Sequence, residues 1–403
     1  MHIVYIHQYF ATNDGSTGSR SYDVSRHLVK MGHQVTVICG MTSMSGLPPV
    51  SKLRPWRIHW IDGIKVICCN VDYSNYMNVP KRLWAFFGFA LLSSVVALIQ
   101  RRINIVFATS TPLTVVVPGI LVSKVRRKPY VFEVRDLWPE DLIAAGRMSE
   151  GGIGHLIQSV MERASYAAAE RVLLVSKGFH DRLLERGYSP KILKTILLGA
   201  DGELFKKAEP DFEYILKHKL EDKTIAIYSG SHGNANGLYQ ILDAAEHLRD
   251  RPDIAIVMIG DGSEKPNLFE EVSRRNLKNV HLLDPVKKTQ LPGILSLCHI
   301  GLMILKQIKR PRWVTPNKLF DYMFAGLPVV VNFPGTTADI VENDGVGIAC
   351  IPGSATDLAE KIRFLADNPG KCKAIGNHAK EVAWQKYERR IIAKQMVELF
   401  ESI

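Results

Sequence analysis

The chain has 403 residues, 46% of them hydrophobic, which is material for two buried cores and too much for one ordinary domain. Its net charge of +11 favours anionic partners such as a nucleotide phosphate or an acidic membrane surface. The basic residues are scattered among acids with no basic-aromatic platform, which argues against a nucleic-acid binder.

The six cysteines (Cys39, Cys68, Cys69, Cys298, Cys350, Cys372) form no CxxC pair and read as reduced thiols of a cytosolic protein. The opening run HIVYI (2–6) reads directly as a buried first strand, without the basic and long apolar regions of an export signal. A glycine-rich loop, NDGSTGSR (13–20), then a helix closed by Gly32 and a strand, HQVTVICG, complete a βαβ unit.

The run PKRLWAFFGFALLSSVVALIQRR (80–102) is a helix. Its 17 uncharged residues from Leu83 to Ile99, flanked by Lys81, Arg82, Arg101 and Arg102, fall short of the ~20 needed to span a bilayer. A core helix of the first domain and a helix lying in the membrane interface are its two readings. INIVFATS, PYVFEVRD and RVLLVSKG follow as first-domain strands. Residues 197–223 lose periodicity and gain charge, which places a linker near 200–222.

The βαβ order returns at residue 224: strand TIAIYSG, glycine-rich loop SHGNANG, helix LYQILDAAEHLRD, strand IAIVMIGDG. VHLLDPV, IGLMIL, LPVVVNF and GIACIPG continue it. A last helix over 383–403 is long enough to pack back across the first domain. The fold class expected is α/β, two Rossmann-like domains whose parallel sheets face a cleft, because such sheets bind ligands beyond the carboxyl ends of their strands.

In TPNKLFDYMFAGLPVVV (315–331) a helix starts at Pro-Asn, with Asn317 expected to accept from free backbone N–H groups, and stops at Gly-Leu-Pro. Lys318 then lies in the first turn, where the helix dipole disfavours a cation, so something negative is expected to bind there. Asp321 follows on the same face. The plainer reading of the two charges is a surface ion pair worth a few tenths of a kcal/mol.

This stretch, together with Gly15–Gly18, EVRDLWPED (133–141), LLGADGELF (197–205), YSGSHGNANGL (228–238), IGDGSEK (259–265) and ADIVENDGVG (338–347), resembles glycosyltransferase family 4. These are retaining sugar transferases of the GT-B fold. The wording of EVRDLWPE and YSGSHG is most similar to bacterial O-antigen and capsule transferases, including the L-fucosamine transferase type.

The resemblance implies an acceptor domain over 1–205, a nucleotide-sugar donor domain over 206–382, and a helix over 383–403 crossing back to the first. The implied reaction moves a sugar from a nucleoside diphosphate donor, UDP-linked by expectation, to a lipid-linked saccharide. It would take place on the inner face of the cell membrane, without a cofactor. No two aspartates stand two apart, so no Asp-x-Asp metal pair is present; Lys318 and backbone N–H groups are expected to meet the phosphate charge instead.

Asp321 takes the place of an acid that holds the donor ribose, one methylene shorter than the family's Glu. Gly15, Gly18, Gly230, His232, Asp261, Gly262 and Asn317 complete the expected donor set. Asp136 and Arg135 are the expected acceptor-side carboxylate and anchor, the former also able to cap the helix that follows. Glu133 points the other way by strand alternation, and Arg20 is expected to add charge near the glycine loop.

The chain departs from the family at Trp313, where the first acid would stand, at Leu198, where an asparagine is common, and after Ser229-Gly230, where the basic pair is missing. Lys318 is then expected to carry the phosphate charge with help from Arg312, Arg310 or the Gly230–Gly233 backbone. A UDP-sugar 2-epimerase on the same fold is the alternative enzyme.

Overall fold

The apolar runs become strands buried from end to end, as a parallel sheet covered by helices on both faces requires. A computed structural model describes residues 1–403 except 52, 75, 145 and 308–312. The expected Arg310 and Arg312 lie outside the described residues. Two units result, Met1–Leu197 with Arg389–Ile403, and Leu198–Glu388.

The first unit holds β1 (His2–Ile6), α1 (Arg20–Lys30), β2 (Gln34–Met41), β3 (Trp56–Ile61), β4 (Ile64–Asp72), α2 (Val79–Leu98), β5 (Ile105–Thr109) and α3 (Val116–Arg126). It continues with β6 (Tyr130–Val134), α4 (Glu140–Ala144), α5 (Ile153–Ala168), β7 (Arg171–Leu174), α6 (Lys177–Glu185) and β8 (Leu193–Thr195). The sheet order is β3-β4-β2-β1-β5-β6-β7-β8. Every pair is parallel except β3 with β4, an antiparallel hairpin outside the expected all-parallel pattern. Its turn is Asp62-Gly63, both at positive φ (49° and 78°), the conformation a two-residue hairpin needs.

In the second unit α7 (Gly202–Lys206) and α8 (Phe212–Lys217) occupy the expected linker, followed by β9 (Thr224–Ser229), α9 (Tyr239–Glu246), β10 (Ile254–Ile259), α10 (Lys265–Arg274) and β11 (Val280–Leu283). Then come α11 (Leu291–Leu295), β12 (Ile300–Met303), α12 (Asn317–Ala325), β13 (Val329–Val331), α13 (Thr336–Asn343), β14 (Gly347–Ala349), α14 (Ala355–Asp367) and α15 (Pro369–Lys386). This sheet, β11-β10-β9-β12-β13-β14, is wholly parallel.

The boundaries differ from 205 and 382. Residues from Leu198 onward pack with the second unit: a side chain on Gly202 would strike Phe324 and Trp384 at 2.7 Å. The expected helix over 383–403 is broken at Tyr387-Glu388. Only α16 (Arg389–Glu401) joins the first unit, where Ile392, Met396, Leu399 and Phe400 complete the core around Ile3, Tyr5 and Phe107. Helix α2 divides its faces. Ala85, Phe86, Phe89, Ala90, Val96 and Ala97 are buried, while Trp84, Phe87, Leu91 and Val95 are exposed.

Candidate functional site

In the second unit, α12 follows the loop after β12 and starts beside the carboxyl end of β9. Tyr322 fixes it there: its hydroxyl accepts from the Ser229 N–H at 2.8 Å. Pro316 is the N-cap residue, and Asn317 is the first helical residue rather than the cap. The Asn317 side chain therefore satisfies no backbone N–H, and its Oδ1 is buried with no partner among the described residues.

Lys318 is the next residue, half-buried, with its Nζ 3.7 Å from the centre of the Tyr228 ring, an attraction worth roughly 0.5–2 kcal/mol. No carboxylate pairs with it among the described residues. Burial pushes its ammonium down to about 7, against an opposing pull from Asp321. The approach is glycine-lined, because a Cβ on Gly230, at φ +146°, would sit 2.9 Å from Lys318 Nζ.

The ion-pair reading of Lys318 with Asp321 does not describe this helix. Asp321 is buried and its Oδ2 accepts from Lys288 Nζ at 2.5 Å. Lys288 stands in the stretch between β11 and α11, and nothing local in the sequence connects it with residue 321.

His232 is fully buried in the loop after β9. Its N–H donates to Asp261 O and its carbonyl accepts from Glu264 N, both at 2.9 Å, so the two glycine-rich turns are laced together. Gly262 is needed for that closeness, since a Cβ there would lie 2.6 Å from the His232 carbonyl. Burial, then the charges of Lys265 and Lys318, push the imidazole down to about 4. It is neutral at pH 7, and neither ring nitrogen has a hydrogen-bond partner among the described residues. Asp261 takes part in the turn through its backbone. Gly230, His232, Asp261, Gly262, Asn317, Lys318 and Asp321 are thus gathered around the ends of β9 and β10 and the start of α12.

In the first unit Arg135 and Asp136 follow β6. The Asp136 carboxylate accepts from Thr111 Oγ1 at 2.5 Å and is not the helix cap; it is Asp141 that accepts from Leu137 N–H. Arg135 Nη1 donates to His7 Nε2 at 3.3 Å, and His7 Nδ1 lies 2.7 Å from Ser21 Oγ. Since a guanidinium only donates, His7 accepts through Nε2 and carries its proton on Nδ1. Burial, with Arg135 and Arg20 nearby, holds the His7 imidazole well below its ordinary value and so neutral.

Glu133 is enclosed, with Arg20 Nη2 at 2.5 Å and Thr109 Oγ1 at 2.5 Å. Arg20 is therefore committed to Glu133, at 1% and 0% side-chain exposure, and does not add charge at the glycine loop. Gly15 serves the loop itself, since a Cβ there would lie 2.3 Å from Met44 O. Gly18 is exposed just ahead of α1. His7, Thr111, Tyr228 and Lys288 are the partners that the sequence reading missed.

Two Rossmann-like units, one presenting a lysine unpaired among the described residues beside glycine turns at its strand ends, define a glycosyltransferase of the GT-B fold, and comparison with known proteins agrees. Residues 15–198 match the glycosyl transferase 4-like domain and residues 212–382 match glycosyl transferases group 1, so glycosyltransferase domains account for most of the chain. A protein of Escherichia coli (strain K12) named as a colanic acid biosynthesis glycosyl transferase, WcaI, is 23% identical over 94% of this chain and 95% of its own. A Pseudomonas aeruginosa protein named as a glycosyltransferase, WbjE, is 22% identical over 96% and 95%. The crystal structure of Anabaena HepE in complex with UDP and glucose superimposes with a TM-score of 0.74 at 17% identity, covering 100% of both chains.

Proposed function

We propose that this enzyme transfers a sugar from a UDP-sugar, with retention and without a metal ion, to a lipid-linked saccharide in the building of a bacterial surface polysaccharide. The observation that carries the reading is Lys318, a cation without a counter-ion among the described residues, on the first turn of α12 with Gly230 kept bare in front of it. As the bond from the anomeric carbon to the β-phosphate oxygen breaks, its electron pair goes onto that oxygen, the acceptor hydroxyl oxygen bonds the anomeric carbon, and the hydroxyl proton passes to the departing phosphate. Lys318 and the first N–H groups of α12 meet the charge as it develops, while Asp321 accepts from the ribose hydroxyls.

Names among the relatives support the acceptor class: WcaI is named for colanic acid, and a Staphylococcus aureus relative, CapM, for capsular polysaccharide. The L-fucosamine likeness of the motifs makes a UDP-activated fucosamine the first donor to try. Arg135 and Asp136 are the acceptor-side groups.

A membrane-peripheral position is supported by the outer faces of α2, α3 and α5. Phe87, Leu91 and Val95 on α2, Val117, Leu121 and Val125 on α3, and Ile153, Leu156 and Val160 on α5 are all exposed. Residues 73–132 contain eight Lys or Arg and no Asp or Glu. That combination suits an anionic lipid surface, whereas a second copy of the same face would bring like charges together.

The test is transfer to a polyprenyl-linked saccharide. Lys318→Ala is expected to lower turnover by about 10²–10³-fold. Unchanged turnover in that variant, or an epimer formed from donor alone, would refute the proposal.

A further inference from the structure

We infer that Lys288 is a positioning residue for the donor: it holds the Asp321 carboxylate in the pose that takes the ribose hydroxyls. The inference rests on the reading of Asp321 given above.

A carboxylate as enclosed as Asp321, with 7% of its side chain exposed, needs a partner to stay charged. The partner is not the lysine three residues away on the same helix but Lys288, 33 positions earlier in the chain and itself only 15% exposed. The contact is made through Oδ2. An ionised carboxylate offers about four acceptor directions, so one ammonium leaves capacity for two vicinal hydroxyls.

The arrangement has an electrostatic consequence for the neighbouring cation. Lys288 cancels the Asp321 charge, so the net charge of the three side chains is that of Lys318, which a bound diphosphate holds in its protonated form. It also answers a steric question. Aspartate is one methylene shorter than the glutamate of the family pattern, and a lysine reaching in from the stretch after β11 fixes the one rotatable carboxyl group in place.

The readout is the preference for a ribose, because a merely structural lysine would lower all nucleotide affinities together. Binding of UDP and of 2′,3′-dideoxy-UDP is measured by titration calorimetry for the wild type, Lys288→Met, Lys288→Arg, Asp321→Asn and the double variant Lys288→Met/Asp321→Asn. The wild type is expected to prefer UDP by about tenfold or more, the scale of a lost hydrogen-bond pair. Lys288→Met should lose most of that preference, read as the ratio of the two affinities, beyond whatever the uncompensated Asp321 charge costs both ligands alike. Lys288→Arg should restore part of the preference, and the double variant should be no worse than either single one, the non-additivity of residues acting as a unit.

A wild-type preference in Lys288→Met, with the preference lost in Asp321→Asn, overturns the inference and leaves the ribose reading standing. A preference retained in Asp321→Asn, or a wild type that does not bind UDP, overturns both. If Lys288→Met does not fold, Lys288→Gln, without the charge, takes its place under the same expected and overturning outcomes, and additive losses when it is combined with Asp321→Asn overturn the inference.

Discussion

Lys318 and Asp321 share one face of α12 and do not pair: the carboxylate closes on Lys288 while the ammonium turns onto the Tyr228 ring at 3.7 Å. A lysine held this way is poised near neutrality, because burial has pushed it down to about 7.

That value predicts proton uptake. A bound diphosphate restores the lysine's preference for its charged form, so at pH 8 UDP binding should take up close to one proton, and at pH 6 almost none. Calorimetry in buffers of different ionisation enthalpy measures the number. Lys318→Met should abolish the difference between the two pH values; equal uptake by wild type and variant would show that another group titrates.

Gly230→Ala places a methyl group 2.9 Å from Lys318 Nζ, at a φ of +146° that alanine rarely adopts. Transfer should fall by about tenfold or more as Lys318 is displaced, with UDP affinity falling in parallel. A variant with wild-type kinetics would mean that Lys318 is used from elsewhere.

The Arg20–Glu133 pair should matter for stability rather than chemistry. Removing Arg20 leaves the Glu133 carboxylate buried without its paired counter-ion, and Arg20→Ala is expected to cost about 3–5 kcal/mol in denaturant unfolding. Burial alone would raise the Glu133 carboxyl, but Arg20, Arg135 and the hydrogen bond from Thr109 hold it below its ordinary value. A group lowered in the folded state stabilises above its unfolded pKa, and that contribution is lost as pH falls through the folded value. The wild type should therefore show a steeper acid-side loss of stability than Glu133→Gln. Parallel pH profiles would contradict this.

The membrane reading predicts that the wild type floats with anionic vesicles, and that changing Lys81, Arg82, Arg101 and Arg102 to Ser weakens flotation at physiological salt. The apolar part is tested separately by Phe87→Ser/Leu91→Ser, which should release the protein from vesicles at low salt as well. Flotation unaffected by both sets would place the acceptor encounter on another surface.

Much of the fold was legible because parallel strands are apolar throughout, and the βαβ signature repeated at residue 224. The β3–β4 hairpin carried the signal of Asp62-Gly63 between runs of WRIHWI and IKVICC, yet it breaks the parallel pattern that the rest of the chain sets. Site residues were legible where one short segment carries them, as with Asn317 to Asp321. What such segments pair with was not. Lys288 meets Asp321 across 33 residues, and Arg20 meets Glu133 across 113. Those partners depend on which strand ends the sheet order brings together, and periodicity carries no record of that.

The placement of α16 bears on how the protein is made. Residues 198–388 form a unit whose two ends meet, Ala200 N–H donating to Tyr387 O at 3.1 Å. The first unit is interrupted by that insertion, and its core lacks Ile392, Met396, Leu399 and Phe400 until α16 has left the ribosome. Synthesis from the N-terminus thus begins the first unit before the inserted unit and completes it only after the inserted unit already has all its strands. Until then the nascent chain carries an open apolar trough beside α1, for which a chaperone that binds hydrophobic surface would compete with the arriving helix.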